Sequence, residues 1–293
     1  MPNIAVVWDF DGTLSPHDST TKVVEILSAG RGDDFWMTVK ALRGDQRKPE
    51  WRHVLASDAP IWMYALSRMA FAKRIPLNTE FFGNFVKPHI SLYPNVLAFL
   101  RRLMLLERRA IFKETDLRIH FFIITAGLKN LVEILFPRNL IKWTFGCRYE
   151  INAHEGDQNN PESIPVFCMD ETMKTRSLFE ISKGSFEDRN KSVNIRVPEE
   201  ARWVPFRNMI YVGDGDTDIP SLSLVRSQGG LGIAVYDPNK PKSEVDRRLK
   251  QMRLDKRADL ITPANFSVSG ELFGFLQNRC IQIAQRYRAE QSV

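Results

Sequence analysis

The chain has little cysteine: Cys147, Cys168 and Cys280 in 293 residues. They form no close pair and no metal-type spacing, which leaves out a zinc module and a disulfide-stapled scaffold and favours reduced thiols. Histidine is equally sparse. His17, His53, His89, His120 and His154 show no paired spacing for a transition metal. No apolar run is long enough to cross a bilayer, and the first residues lack the basic flank and apolar stretch of a signal peptide. A cytoplasmic protein with no membrane partner is therefore expected. There is no internal repeat and no low-complexity tract. Charge of one sign is only mildly in excess, with 41 basic against 35 acidic residues for a net +6. The basic clusters (Arg101-Arg102, Arg108-Arg109 and the stretch Arg247 to Arg257) are interrupted by acids and accompany no nucleic-acid motif. They read as solvated helix faces rather than a nucleic-acid stripe.

What the chain does have is alternation. Ile4 to Trp8 is a continuous, β-branched apolar run, the pattern of a strand buried on both faces. From about Ser19 to Ile90 the pattern is helical. Val23, Val24, Ile26 and Leu27 form one stripe, and Phe35, Trp36, Val39 and Leu42 form another that stops near Gly44. Asp58 and Pro60 open a third helix and Asn78 a fourth. Beyond Pro94 helices and strands alternate. Helices are expected at Val96 to Leu106, Leu128 to Phe136, Lys174 to Ile181, Ser221 to Val225 and Ser269 to Arg286. Strands are expected at His120 to Ile124, Asn208 to Val212, Gly232 to Val235 and Asp259 to Thr262. Phe145 to Ile151 and Val166 to Met169 pair as a hairpin around a loop, Asn152 to Pro165. The fold class is α/β: a Rossmann-like parallel sheet covered on both faces, with ligands expected outside the carboxyl ends of its strands.

Two acidic clusters stand at such ends. Asp9-Phe10-Asp11-Gly12-Thr13-Leu14 follows the first strand, and Gly213-Asp214-Gly215-Asp216-Thr217-Asp218 follows Met209 to Val212. Each alone could be an acidic turn. A matched pair of acidic strand ends is instead suited to a divalent cation, because hard oxygen ligands select Mg²⁺. Thr125 ends another strand, where a threonine ordinarily caps a turn. Lys174 opens a helix, and Lys183, its competitor, sits where a cation satisfies the helix dipole.

These motifs in this order resemble the haloacid dehalogenase-like hydrolases, specifically the phosphoserine-phosphatase-like branch, in which a helical cap follows the first motif. The likeness covers Ile4 to about Val235. It implies a catalytic core over residues 1–14 and 92–293 and a cap over 15–91, the cap matching in position and helical character only. It implies that Asp9 is the nucleophile and Asp11 the general acid and base. Dehalogenases of the family lack an acid at the second position, so Asp11 favours phosphoryl chemistry. Thr125 with the Ala126 and Gly127 amides would receive phosphoryl oxygens at a helix N-terminus, and Lys174 would neutralise charge there. In the family a glycine often follows that lysine; here it is Thr175. Mg²⁺ would be held by Asp9, the Asp11 carbonyl and Asp214, with Asp218 just outside. Asp216 has a less definite place. Asp18 either caps the first cap helix or meets a substrate amino group. Trp36, Trp51 and Trp62 read as core before pocket, and His17 lies near the first motif.

The function so implied is a Mg²⁺-dependent phosphatase acting on a small phosphorylated metabolite through an aspartyl-phosphate. The alternatives are a phosphotransferase or mutase of the same chemistry, and a non-catalytic phosphate- or nucleic-acid-binding module.

Overall fold

The computed structural model describes residues 2–42, 58–152, 161–188 and 192–291. The expected helix stop at Gly44, Trp51, His53, His154 and the middle of the Asn152 to Pro165 loop lie outside them.

The chain opens with β1 (Asn3–Trp8), buried along its whole length. A helical stretch follows: α1 (Ser19–Leu27), α2 (Gly32–Leu42), α3 (Asp58–Ala72) and α4 (Thr79–Phe81), the last continued by a π-turn and a 3₁₀ turn to His89. Asp18 caps α1 by accepting from the Thr21 amide, and Asn78 caps α4 through the Phe81 amide. Described residues 16–42 and 58–91 contain no strand. Then come α5 (Val96–Met104), α6 (Ala110–Glu114), β2 (Arg118–Leu128), α7 (Lys129–Glu133), β3 (Trp143–Asn152), β4 (Glu162–Phe167) and α8 (Glu171–Lys183). The chain closes with β5 (Met209–Gly213), α9 (Ile219–Ser227), β6 (Leu231–Tyr236), α10 (Lys242–Leu254), β7 (Leu260–Pro263) and α11 (Glu271–Gln291).

Among the described residues seven strands form one sheet, ordered β4-β3-β2-β1-β5-β6-β7. All pairings are parallel except β3 with β4. From β1 the chain builds outward through β2 and β3, then returns to add β5 on the other side of β1. That reversal makes the gap between the carboxyl ends of β1 and β5 the topological switch point, where open α/β sheets bind ligands.

Three expectations are corrected. The strand expected to stop at Ile124 continues to Leu128, because Leu128 pairs with Cys147 across a register shift. The helix after it is accordingly short, Lys129–Glu133, and Pro137 blocks its extension. The loop drawn through Pro165 is strand from Glu162, with Tyr149 opposite Pro165; β4 is an edge strand, where proline is tolerated. Helices α6 and α10 went unread.

The buried side chains form one continuous cluster, from Val23, Phe35, Met63 and Leu66 of the helical stretch to Ile4, Phe122 and Val212 of the sheet. Trp62 belongs to it, and Trp36 meets Phe35 edge-on at 5.0 Å, so both are core residues. Helix α3 is fastened to the β3–β4 hairpin. The Ser67 hydroxyl donates to the Ser163 carbonyl, the Leu77 amide to Ser163 Oγ at 2.9 Å, and the Tyr149 hydroxyl to the Met63 carbonyl at 2.6 Å, all buried.

The segment after α8 folds back as a plug. Trp203 lies edge-on to Phe122 and Phe186 and 4.9 Å from the His120 ring. Burial pushes His120 down from its ordinary 6.5 to about 4; Lys142 reinforces this, Glu187 opposes it and Arg118 adds to it. As pH falls below 6.5 the unfolded chain takes up this proton first. Stability is therefore lost between about pH 6.5 and 4. Urea unfolding across that window should show a smaller loss for His120→Gln, which keeps a donor for Asn3 Oδ1 but has no titration there.

Candidate active site

The site is assembled where β1 and β5 end. The Asp9 amide donates to the Val212 carbonyl at 2.8 Å, joining the first motif to β5. The chain then turns sharply, with the Leu14 amide on the Phe10 carbonyl and the Gly12 amide on the Ser15 carbonyl. Gly12 has φ +81°, and a Cβ there would lie 2.0 Å from Asp214 Oδ2. Only glycine fits both the left-handed backbone and the approach of that carboxylate. Asp9, Asp214 and Asp218, all buried, each place a carboxylate oxygen within 4.8 Å of the others.

Lys174 sits among them. It lies in the first turns of α8, whose N-cap Asp170 accepts from the Met173 amide at 2.7 Å. Its Nζ donates to Asp9 Oδ1 and Asp218 Oδ1, both at 2.7 Å, and is 3.4 Å from Thr217 Oγ1. The side chain is only 1% exposed. Burial works against its charge, but Asp218 and Asp9 outweigh burial and hold the ammonium well above the usual lysine range. Lys183 is elsewhere: it closes α8 and donates to the Val193 and Ile195 carbonyls.

Asp218 is saturated. Oδ1 accepts from Lys174 and from the Tyr211 hydroxyl at 2.7 Å; Oδ2 accepts from the Asp214 and Gly215 amides at 3.1 and 3.2 Å. It orients Lys174 and the second motif, and it closes the group of three carboxylates, Asp9, Asp214 and Asp218, that could hold an ion. Burial pushes the Asp9 carboxyl well up, Asp218 and Asp214 add to this, and Lys174 opposes it. Crowded buried carboxylates of this kind are the hard-oxygen donor set that Mg²⁺ fits.

Asp11 stands apart from that cluster. Its Oδ1 accepts from the Ser19 amide at 2.7 Å and its Oδ2 from the Ser19 hydroxyl at 3.1 Å, with Thr125 Oγ1 3.5 Å from Oδ2. Burial first, then the charge of Asp18, raises Asp11 to about 7, against the two Ser19 hydrogen bonds. A carboxyl poised there suits both proton donation and acceptance near neutrality.

The Thr125 to Gly127 segment is brought to the site, but not as a helix N-terminus. All three residues belong to β2, and the Gly127 amide is taken by Thr125 Oγ1 at 2.9 Å. The helix-dipole argument for an anion there falls away, while the Thr125 hydroxyl remains beside Asp11. Asp18 is exposed and caps α1 through Oδ1 at 2.8 Å. His17 is exposed, and the Asp216 side chain lies outside the described residues. Ser19 and Tyr211 were missed: Ser19 read as a helix start and Tyr211 as one more apolar strand residue. Thr13 donates to Asp9 Oδ2 at 3.3 Å.

No family model matches the chain. An uncharacterized protein of Borreliella burgdorferi is 24% identical over 179 residues, 57% of this chain, which in turn spans 59% of that relative's length. Among solved structures, a probable phosphoserine phosphatase from Vibrio cholerae is 14% identical with a TM-score of 0.54, covering 98% of this chain and 67% of that one. A HAD family hydrolase from Salmonella enterica serovar Typhi is 16% identical with a TM-score of 0.49, covering 81% and 64%. No helix among the described residues is long and apolar enough to cross a membrane. Sheet order, switch point and the Vibrio likeness together give the chain a Rossmann-like α/β fold similar to that of the Vibrio probable phosphoserine phosphatase.

Proposed function

We propose that the chain is a Mg²⁺-dependent phosphatase that hydrolyses a small phosphomonoester through an aspartyl-phosphate on Asp9. The observation that carries this reading is the buried meeting of Asp9, Asp214 and Asp218 around Lys174 at the β1–β5 crevice. An Asp9 oxygen attacks phosphorus as the ester bond breaks, and protonated Asp11 gives its proton to the departing alkoxide. Asp11, now ionised, takes a proton from water as that water attacks the phosphorus, freeing inorganic phosphate and Asp9. Lys174 offsets charge on Asp9 and on the phosphoryl oxygens, and the Thr125 hydroxyl donates to one of them. Mg²⁺, held by Asp9, Asp214 and the Asp11 carbonyl, would supply further neutralisation when bound. In this reading residues 15–91 are the cap and residues 1–14 and 92–293 the core. Asp18 keeps its capping role and presents its exposed carboxylate to any cationic group on the substrate. The enzyme acts in the cytoplasm.

A screen of phosphorylated metabolites with and without Mg²⁺, run beside Asp9→Asn, tests this. The expected result is Mg²⁺-dependent phosphate release by the parent alone; release that ignores Mg²⁺, or none from any ester, rejects the reading. Gly12→Ala offers a sharper local test. The new methyl group must displace Asp214, so turnover should fall about 100-fold and saturate at higher Mg²⁺. A Mg²⁺ titration of turnover measures both.

A further inference from the structure

We propose that Ser19 is a positioning residue for proton transfer, confining the Asp11 proton to Oδ2. The inference rests on the phosphatase reading above. Ser19 is the first residue of α1, fully buried, and it contacts Asp11 with two different groups. Its amide, 2.7 Å from Oδ1, can only donate, so Oδ1 is held as an acceptor. Its hydroxyl, 3.1 Å from Oδ2, can donate to a carboxylate or turn to accept from a carboxylic acid. Oδ2 is therefore the oxygen that tolerates both protonation states. It is also the oxygen next to the β2 end: Thr125 Oγ1 is 3.5 Å away, and a Cβ on Gly127 would come within 2.9 Å of both Oδ2 and Ser19 Oγ. A group that must serve first as acid and then as base needs a partner with this indifference at one oxygen and a fixed anchor at the other. Ser19 supplies both, and the Asp18 cap sets the turn from which it does so.

The test compares kcat/KM for p-nitrophenyl phosphate, whose leaving group needs little proton assistance, with that for phenyl phosphate, whose leaving group needs more. Ser19→Ala should lose roughly 10-fold on phenyl phosphate and about 2-fold or less on p-nitrophenyl phosphate, a part of the range attributable to proton transfer. Ser19→Thr, which restores a hydroxyl, should recover the phenyl phosphate rate. Equal losses on the two esters, or no loss on either, would overturn the proposal. If Ser19→Ala shows no melting transition, Ser19→Cys takes its place against Ser19→Thr, with the same selective loss expected from the weakly donating thiol. Asp9→Asn separates the two readings. Turnover by that variant defeats the phosphatase itself, whereas an inactive Asp9→Asn beside Ser19 variants blind to the leaving group defeats only this inference.

Discussion

Replacing Asp9 with asparagine should give a folded protein whose turnover drops on the order of 10⁴-fold or more, the scale expected when a covalent nucleophile is lost. An amide oxygen in place of the carboxylate has neither the charge nor the basicity to displace an alkoxide from phosphorus. The surroundings should survive, because Lys174 keeps its 2.7 Å bond to Asp218. The stability effect has a definite sign. Burial, Asp218 and Asp214 hold the Asp9 carboxyl well above its ordinary range, so the folded state disfavours its ionised form at neutral pH. Without Mg²⁺ the variant should therefore melt no lower than the parent, and the melting-temperature rise that Mg²⁺ gives the parent should shrink. Acid quenching with radiolabelled ester should trap label on the parent and none on Asp9→Asn. Label on the variant, or its unimpaired turnover, would remove Asp9 from the proposed role.

Lys174→Met should have the second-largest consequence, and on two readouts. The ammonium bridges Asp9 and Asp218 in a site with almost no solvent contact. Removing one partner of a buried pair typically costs about 3–5 kcal/mol, because the opposing charge is left in a poor medium. Urea unfolding without Mg²⁺ should show a loss of that size. Adding Asp218→Asn to Lys174→Met should recover part of it, since the stranded charge is then gone, and a double-mutant cycle reads that recovery directly. Turnover should fall by roughly 100- to 1,000-fold, as when a preorganised donor to a developing charge is deleted. Lys183→Met should leave turnover near the parent value, because that side chain holds the carbonyls of Val193 and Ile195. A severe loss there with Lys174→Met active would reverse the assignment.

The sequence was legible where a signal is local. Each acidic motif follows an apolar run of the strand that delivers it, so Asp9 and Asp214 could be placed at strand ends without knowing their neighbours. The caps at Asp18 and Asn78 were legible for the same reason, since the bond spans three residues. What escaped depends on distant partners. Thr125 to Gly127 stay in the strand only because Leu128 meets Cys147, and Glu162 to Pro165 are strand only because β3 lies alongside. Helix α10 is mostly charged, with Leu249 and Met252 as its fully buried apolar contacts, too thin a stripe to show a period. Tyr211 looked like packing because the tip of its ring, not its body, carries the role: its hydroxyl reaches a carboxylate seven positions later.

The fastening of α3 to the β3–β4 hairpin bears on how any substrate gets in. Leaving one buried polar partner unsatisfied costs about 1–3 kcal/mol. Prying α3 and the segment that follows it to Leu77 off the hairpin would break the bonds at Ser67, Leu77 and Tyr149 together, a penalty that keeps such an excursion rare. A movement that leaves them intact must carry helix and hairpin together, and it would have to bend β3 between the half paired with β2 and the half paired with β4.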